Sequence, residues 1–164
     1  MPETTIANNA PAGPAAADLS VGEVVLERTI GFSRADLVRY AGASGDFNYI
    51  HWNERFAREV GLPNVIAHGM LTMATVVSPI VQWLGDPGAV LDYRTRFTAP
   101  VVVPDAASGV PEEPTAFVNI VAKVGALDPE AGTARIDVTA TLPADGEAKP
   151  VSVLGRTQVK VALR

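Results

Sequence analysis

Residues 69–85 carry no charged side chain and hold Met70, Leu71, Met73, Val76, Val77, Ile80, Val81, Trp83 and Leu84. At helical spacing these residues point in nearly every direction. A helix of that kind must be covered on all sides, so the rest of the chain has to supply a surface that closes around it. The run contains Thr72, Thr75, Ser78, Pro79 and Gln82 and is short for a membrane span, so it reads as a buried core helix. It starts near His68 and stops at Gly85-Asp86-Pro87-Gly88. Pro79 should remove one backbone bond and kink it, or mark where it first ends.

Downstream, the periodicity changes from helical to two. Leu91, Tyr93, Thr95 and Phe97 alternate with Asp92, Arg94 and Arg96; Ala116, Val118, Ile120, Ala122 and Val124 share one face. Ala134, Ile136, Val138, Ala140 and Leu142 share another, as do Val151, Val153, Val159, Val161 and Leu163, with a bend expected at Gly155. Breaks fall at Pro111–Pro114, Asp128–Gly132 and Pro143–Gly146. Four one-sided strands after one apolar helix predict an α+β fold, an antiparallel sheet wrapped around that helix.

Upstream, Val24–Ile30 reads as a strand. Ser33-Arg34-Ala35-Asp36 has the spacing of a capping box for a helix with Leu37, Val38, Tyr40 and Ala41 as its apolar stripe, broken by Gly42 and Gly45. Asn53–Val60 reads as a short helix capped by Asn53, with Phe56 and Val60 facing inward. Residues 1–19, with Pro2, Pro11 and Pro14 among alanines, read as a disordered tail, leaving residues 20–164 as one domain. That tail has no basic start and no apolar middle, so it is no secretory signal. The chain has no Cys, which excludes disulfides and thiolate chemistry and suits the cytoplasm. A formal net charge of −5 argues against nucleic acid as a partner.

Chemistry concentrates in Ser44-Gly45-Asp46-Phe47-Asn48-Tyr49-Ile50-His51 and in Val65-Ile66-Ala67-His68-Gly69-Met70-Leu71, which hold both of the chain's 2 histidines. A loop can bring Asp46 and His51 into one apolar pocket, where burial and mutual charge move both toward neutral-pH acid–base work. Asn48 could orient either of them. The Gly69 amide, at the positive end of the long helix and open to close approach, could hold an oxyanion. Plainer readings fit the same residues: Asp46 as a turn residue bonding loop amides, His51 as a packed ring, His68 as a cap. A metal held by Asp46, His51 and His68 matches no ligand spacing, and Ser44 lacks the strand–elbow–helix context of an activated nucleophile. No glycine-rich phosphate loop follows a strand. Arg34, Arg39, Arg55, Arg58, Arg94 and Arg96 read mostly as a solvated surface that could also meet phosphates or an acidic carrier.

Taken together, Tyr40–His51, Ala67-His68-Gly69-Met70-Leu71 and Arg96-Phe97-Thr98-Ala99-Pro100-Val101 resemble, in order, three motifs of the MaoC-like, or hydratase 2, family. Within it, the chain is most similar to motif-bearing catalytic subunits of the mycobacterial (3R)-hydroxyacyl-carrier-protein dehydratase type. The resemblance covers residues 20–164 and implies a hot-dog fold. It implies reversible dehydration of (3R)-hydroxyacyl thioesters to trans-2-enoyl thioesters in fatty-acid metabolism, with no metal and no cofactor. It makes Asp46 and His51 the catalytic pair, with Asn48 and His68 in support and the Gly69 amide as oxyanion donor. It also implies an acyl-CoA or acyl-carrier-protein substrate and a homodimer or a heterodimer with a second hot-dog subunit. Alternatives on the same fold are a catalytic-type subunit inactive without that partner, and a thioesterase. Tyr49 stands where the family usually has Pro, and Pro79 is unusual within the helix.

Overall fold

The computed structural model describes residues 13–144, 146 and 149–164. Five strands, β1 (Val24–Phe32), β2 (Val90–Phe97), β3 (Ala116–Asp128), β4 (Thr133–Thr141) and β5 (Ser152–Ala162), form one sheet in the order β1-β3-β4-β5-β2. Every neighbouring pair is antiparallel. Helices α1 (Arg34–Ser44), α2 (Glu54–Glu59) and α3 (Gly69–Leu84) lie between β1 and β2 in the chain. Those two strands are the opposite edges of the sheet, and α3 touches both, so the sheet curls around it.

The period-two reading holds where the sheet is most buried. In β3, Ala116, Val118, Ile120, Ala122 and Val124 are buried, and in β4 Ala134, Ile136, Val138 and Ala140. They meet Val76, Ile80 and Leu84 of α3 in a single apolar cluster. In β5 the alternation slips near the expected bend. Arg156 takes φ 53, the registers with β2 and β4 shift there, and Leu154 is buried beside Val153.

Five expectations are corrected. First, α3 is not covered all round: Thr72, Val76, Pro79, Ile80 and Leu84 are buried, while Met70, Ala74, Ser78 and Gln82, four residues apart, form an exposed stripe. One five-stranded sheet covers one side of a helix. The helix does not end at Pro79, which sits buried within it. Second, the apolar stripes of the small helices are narrower than read: Leu37 and Ala41 are buried but Val38 is exposed, and Ala57 is buried while Val60 is exposed. Third, Gly42 does not break α1, which continues to Ser44; Gly45, at φ 75, ends it. Fourth, Leu91 and Phe97 are exposed, because β2 is an edge strand. Fifth, residues 13–19 are ordered, against the expectation of disorder over residues 1–19. Residues 1–12 lie outside the described residues, as do 145, 147 and 148 of the last turn. Residues 13–19, however, pair with the chain's far end: the Ala16 amide donates to the Arg164 carbonyl at 3.3 Å, and Leu19 packs on the core.

The capping box is present in full. The Asp36 amide donates to Ser33 Oγ at 3.2 Å and the Ser33 amide donates to Asp36 Oδ2 at 2.9 Å. Arg34, read as surface, is instead a tie between segments. Its Nε donates to the Val103 carbonyl at 2.7 Å, and Nη2 donates to Asn64 Oδ1 at 2.6 Å and Glu54 Oε2 at 2.8 Å. That bond holds the Glu54 carboxyl below its usual range.

Candidate active site

The site forms where the loop after α1 meets the N-terminus of α3. Gly45 turns the chain out of α1 in the left-handed region that glycine tolerates best. Asn48 then caps a 3-10 turn over Tyr49–His51 through its Oδ1, which accepts from the Ile50 amide at 3.2 Å. Asn48 also meets both members of the expected pair through its backbone: its amide donates to Asp46 Oδ1 at 3.2 Å and its carbonyl accepts from the His51 amide at 3.1 Å. Trp52 Nε1 donates to the Phe47 carbonyl at 3.0 Å, and Tyr49 packs edge-on against Trp52 and Phe56. This aromatic group braces the turn at the position where the resemblance led us to expect Pro.

Residues 64–67 are zipped in on both sides. The Ile66 amide donates to the Ile50 carbonyl at 3.1 Å, Ala67 donates to Val101 at 2.8 Å, and Val103 donates to Val65 at 2.9 Å. The Ile66 carbonyl is thereby fixed, and His51 Nδ1 sits 2.8 Å from it. A carbonyl only accepts, so Nδ1 carries the proton and Nε2 keeps its lone pair. That free Nε2 faces Asp46 Oδ2 at 3.9 Å. The separation exceeds a hydrogen bond and leaves the two groups able to share a third partner. The two Asp46 oxygens have different surroundings: Oδ1 accepts from the Asn48 amide at 3.2 Å, a loop contact, while Oδ2 faces His51.

His51 is 7% exposed, whereas the Asp46 side chain is 53% exposed. Burial pulls the His51 imidazole below its ordinary value of 6.5, and His68 pushes the same way; the Ile66 carbonyl and the Asp46 carboxylate oppose them. His51 is therefore neutral, with a free Nε2, at neutral pH.

His68, 2% exposed, stacks on His51 with ring centroids 3.7 Å apart and planes 22° from parallel. Its Nε2 donates to the Asp46 carbonyl at 3.0 Å. Potential ligand atoms of Asp46, His51 and His68 lie within 4.8 Å of one another. An imidazole binds a metal in the plane of its ring, and one ion cannot lie in the planes of two stacked rings, so this geometry suits proton transfer better than ligation. Ser44 Oγ donates to the Tyr40 carbonyl at 2.7 Å and accepts from the Asp46 amide at 3.2 Å, a turn role.

Gly69 opens α3, and no side chain caps that terminus among the described residues. A β-carbon at Gly69 would stand 3.2 Å from the Phe97 ring, so glycine is what lets the strand and the helix start meet this closely. His51, Gly69, Thr72, Phe97, Thr98 and Pro100 help line a cavity of about 310 Å³. Of the residues singled out in the sequence, His51 and Gly69 line this cavity, while Asp46 and His68 lie against His51. The sequence reading missed the Ile66 carbonyl, which has no side-chain signature. It also missed Phe97 as a wall, though that residue stood in a quoted motif.

The family description MaoC like domain matches residues 18–114, more than half of the chain. The chain belongs to the MaoC-like family. This MaoC-like chain is 34% identical over 137 residues to the 3-hydroxybutyryl-CoA dehydratase of Methylorubrum extorquens, covering 80% of the chain and 79% of the relative. It is 42% identical over 73 residues to 3-hydroxyacyl-thioester dehydratase X of Mycobacterium tuberculosis, covering 44% of the chain but only 25% of that longer relative. Among solved structures, a MaoC-like dehydratase superposes with a TM-score of 0.79 at 38% identity over 94% of this chain and 43% of its own. The MaoC-like hot-dog fold expected from the motifs is thus the fold of this chain. No helix among the described residues is long and apolar enough to cross a membrane.

Proposed function

We propose that this chain catalyses the reversible dehydration of (3R)-hydroxyacyl thioesters to trans-2-enoyl thioesters, with Asp46 and His51 as the catalytic pair. The observation that carries the reading is the free Nε2 of His51 facing Asp46 Oδ2 across 3.9 Å, next to the uncapped helix start at Gly69. The relatives named dehydratases support the substrate class. The Gly69 amide polarises the thioester carbonyl and acidifies the C2 proton. His51 Nε2 takes that proton, and the electron pair moves onto the carbonyl oxygen. It returns to form the C2–C3 double bond as the C3–O bond breaks. The departing hydroxyl collects the proton held by the His51–Asp46 pair and leaves as water. Every group in this route belongs to the chain.

The test is hydration of crotonyl and longer enoyl thioesters, followed as loss of enoyl absorbance, on matched CoA and carrier-protein substrates. Asp46→Asn and His51→Ala should each lower kcat by about 10²-fold or more. Near wild-type turnover in both sinks the assignment. Release of free thiol, read with a thiol-reactive dye, would point to a thioesterase instead.

A second hot-dog subunit, identical or not, is part of this reading. Phe47, Tyr49, Trp52 and Met70 are exposed beside the site, and α3 keeps an open stripe. The superposed MaoC-like dehydratase is more than twice as long as the part this chain matches. Native mass measurement should show a particle of at least two chains; a monomer with full activity would remove the partner from the proposal.

A further inference from the structure

One residue touches both members of the pair and adjoins the third element of the site. His68 lays its ring on His51 at 3.7 Å, donates Nε2–H to the Asp46 carbonyl at 3.0 Å, and is the residue immediately before Gly69. Tyr40 packs on it, ring centroids 4.9 Å apart, and Thr72 Oγ1 donates to its carbonyl at 3.2 Å. Its Nδ1 is buried and has no hydrogen-bond partner among the described residues. Burying a polar nitrogen without a partner is unfavourable, and leucine or phenylalanine would fill the same space without that cost. A cap role does not account for it, because the His68 side chain caps nothing in α3.

We infer that His68 is a positioning residue that sets the Asp46–His51 separation, holding the Asp46 backbone by its N–H and the His51 ring by its face. This rests on the hydratase reading for its consequence but not for its geometry. Without His68, Asp46 Oδ2 and His51 Nε2 can close to a direct ion pair. A closed pair has no room for the hydroxyl or water that the reaction passes between them. The donor role also requires the proton on Nε2, which leaves Nδ1 as the bare nitrogen, in agreement with its lack of a partner. Groups facing His51 are then the Ile66 carbonyl, the Asp46 carboxylate and the His68 ring.

Two variants of the full chain separate the contacts. His68→Phe keeps a ring face and loses the donor; His68→Gln keeps an N–H in the Nε2 position and loses the ring. We expect kcat to fall at least about tenfold in His68→Phe with KM within about threefold, and His68→Gln to recover part of that loss. A merely structural role would lower the folded fraction and leave kcat per folded molecule alone. With two histidines in the chain, each variant leaves a single imidazole signal, so NMR titrates His51 directly. Its midpoint should rise in both variants, since the neighbouring imidazole that opposes its protonation is gone. A kcat per folded molecule within twofold of wild type in both variants overturns the inference. So does failure of both to fold, as His68 would then hold the fold and not the chemistry; if one folds, it alone is read. If the wild type turns over no enoyl thioester, the hydratase reading fails and the NMR titration decides by itself: a raised midpoint supports the positioning role and an unmoved one overturns it.

Discussion

His51 Nδ1 and the Ile66 carbonyl stand 2.8 Å apart, and this contact between a side chain and a backbone oxygen fixes which nitrogen of the imidazole is free. Two consequences follow for pH. The proposed dehydration route needs His51 neutral, and burial lowers its titration below 6.5. The acidic limb of kcat/KM should therefore lie below pH 6.5, not above it, as measured on enoyl-thioester hydration between pH 4.5 and pH 8, roughly two units below and above ordinary imidazole values. Stability follows the same sign. The unfolded chain's imidazole takes up its proton at the ordinary value while the folded one does not, so this residue makes the fold less stable as pH falls below 6.5. The loss is complete once pH is below the folded value. His51→Phe should flatten that part of a urea-midpoint against pH plot.

Gly69 and Phe97 share a contact that leaves little space for a methyl group. Gly69→Ala keeps the amide donor but pushes the Phe97 ring or the helix start aside. The contact asks for a shift of a few tenths of an ångström, well under the 1 Å misplacement that costs about 10²-fold, so a loss of about two- to tenfold in kcat/KM is expected. Adding Phe97→Ala should restore part of it. Steady-state kinetics on the two variants checks the coupling, and strictly additive losses would refute it.

Arg34 ties the start of α1 to Glu54, Asn64 and Val103 at once. Its side chain is 16% exposed, and truncation leaves those acceptors without their donor. Arg34→Ala should cost about 3 kcal/mol. The readout is a lower urea midpoint at unchanged slope. Because Asn64 leads into the segment that carries the Ile66 carbonyl, kcat should fall with it.

Gly45 sits at φ 75 with open space around its missing β-carbon. Only backbone conformation opposes a side chain there. Gly45→Ala should cost about 1 kcal/mol and Gly45→Asn less, since Asn tolerates this region. Thermal unfolding separates the two.

Much of the fold was legible because burial repeats. Ala134, Ile136, Val138 and Ala140 announce a one-sided strand, and Ser33 with Asp36 announces a helix start. What was misread depended on partners that a local pattern does not contain. Val38 and Val60 have apolar side chains at helical spacing yet face solvent, and α3 has an uncharged stripe, Met70, Ala74, Ser78 and Gln82, on a side that stays exposed. In the site, Asp46, His51 and Gly69 carry chemistry in their identity. Ile66 acts through its backbone, and Asn48 had several possible partners in sequence and took the nearest, the Ile50 amide.

The crossing from β1 to β2 spans the full width of the sheet, and it carries Asp46, His51, His68 and Gly69 in one uninterrupted stretch. Strands β3, β4 and β5 fill the space between those edges afterwards and add none of these residues. The four residues of the proposed site therefore come from one continuous stretch of chain, and the interior strands act on them through packing, as Val153 of β5 does where it lines the cavity. The family match ends at residue 114, just before the first of these interior strands begins.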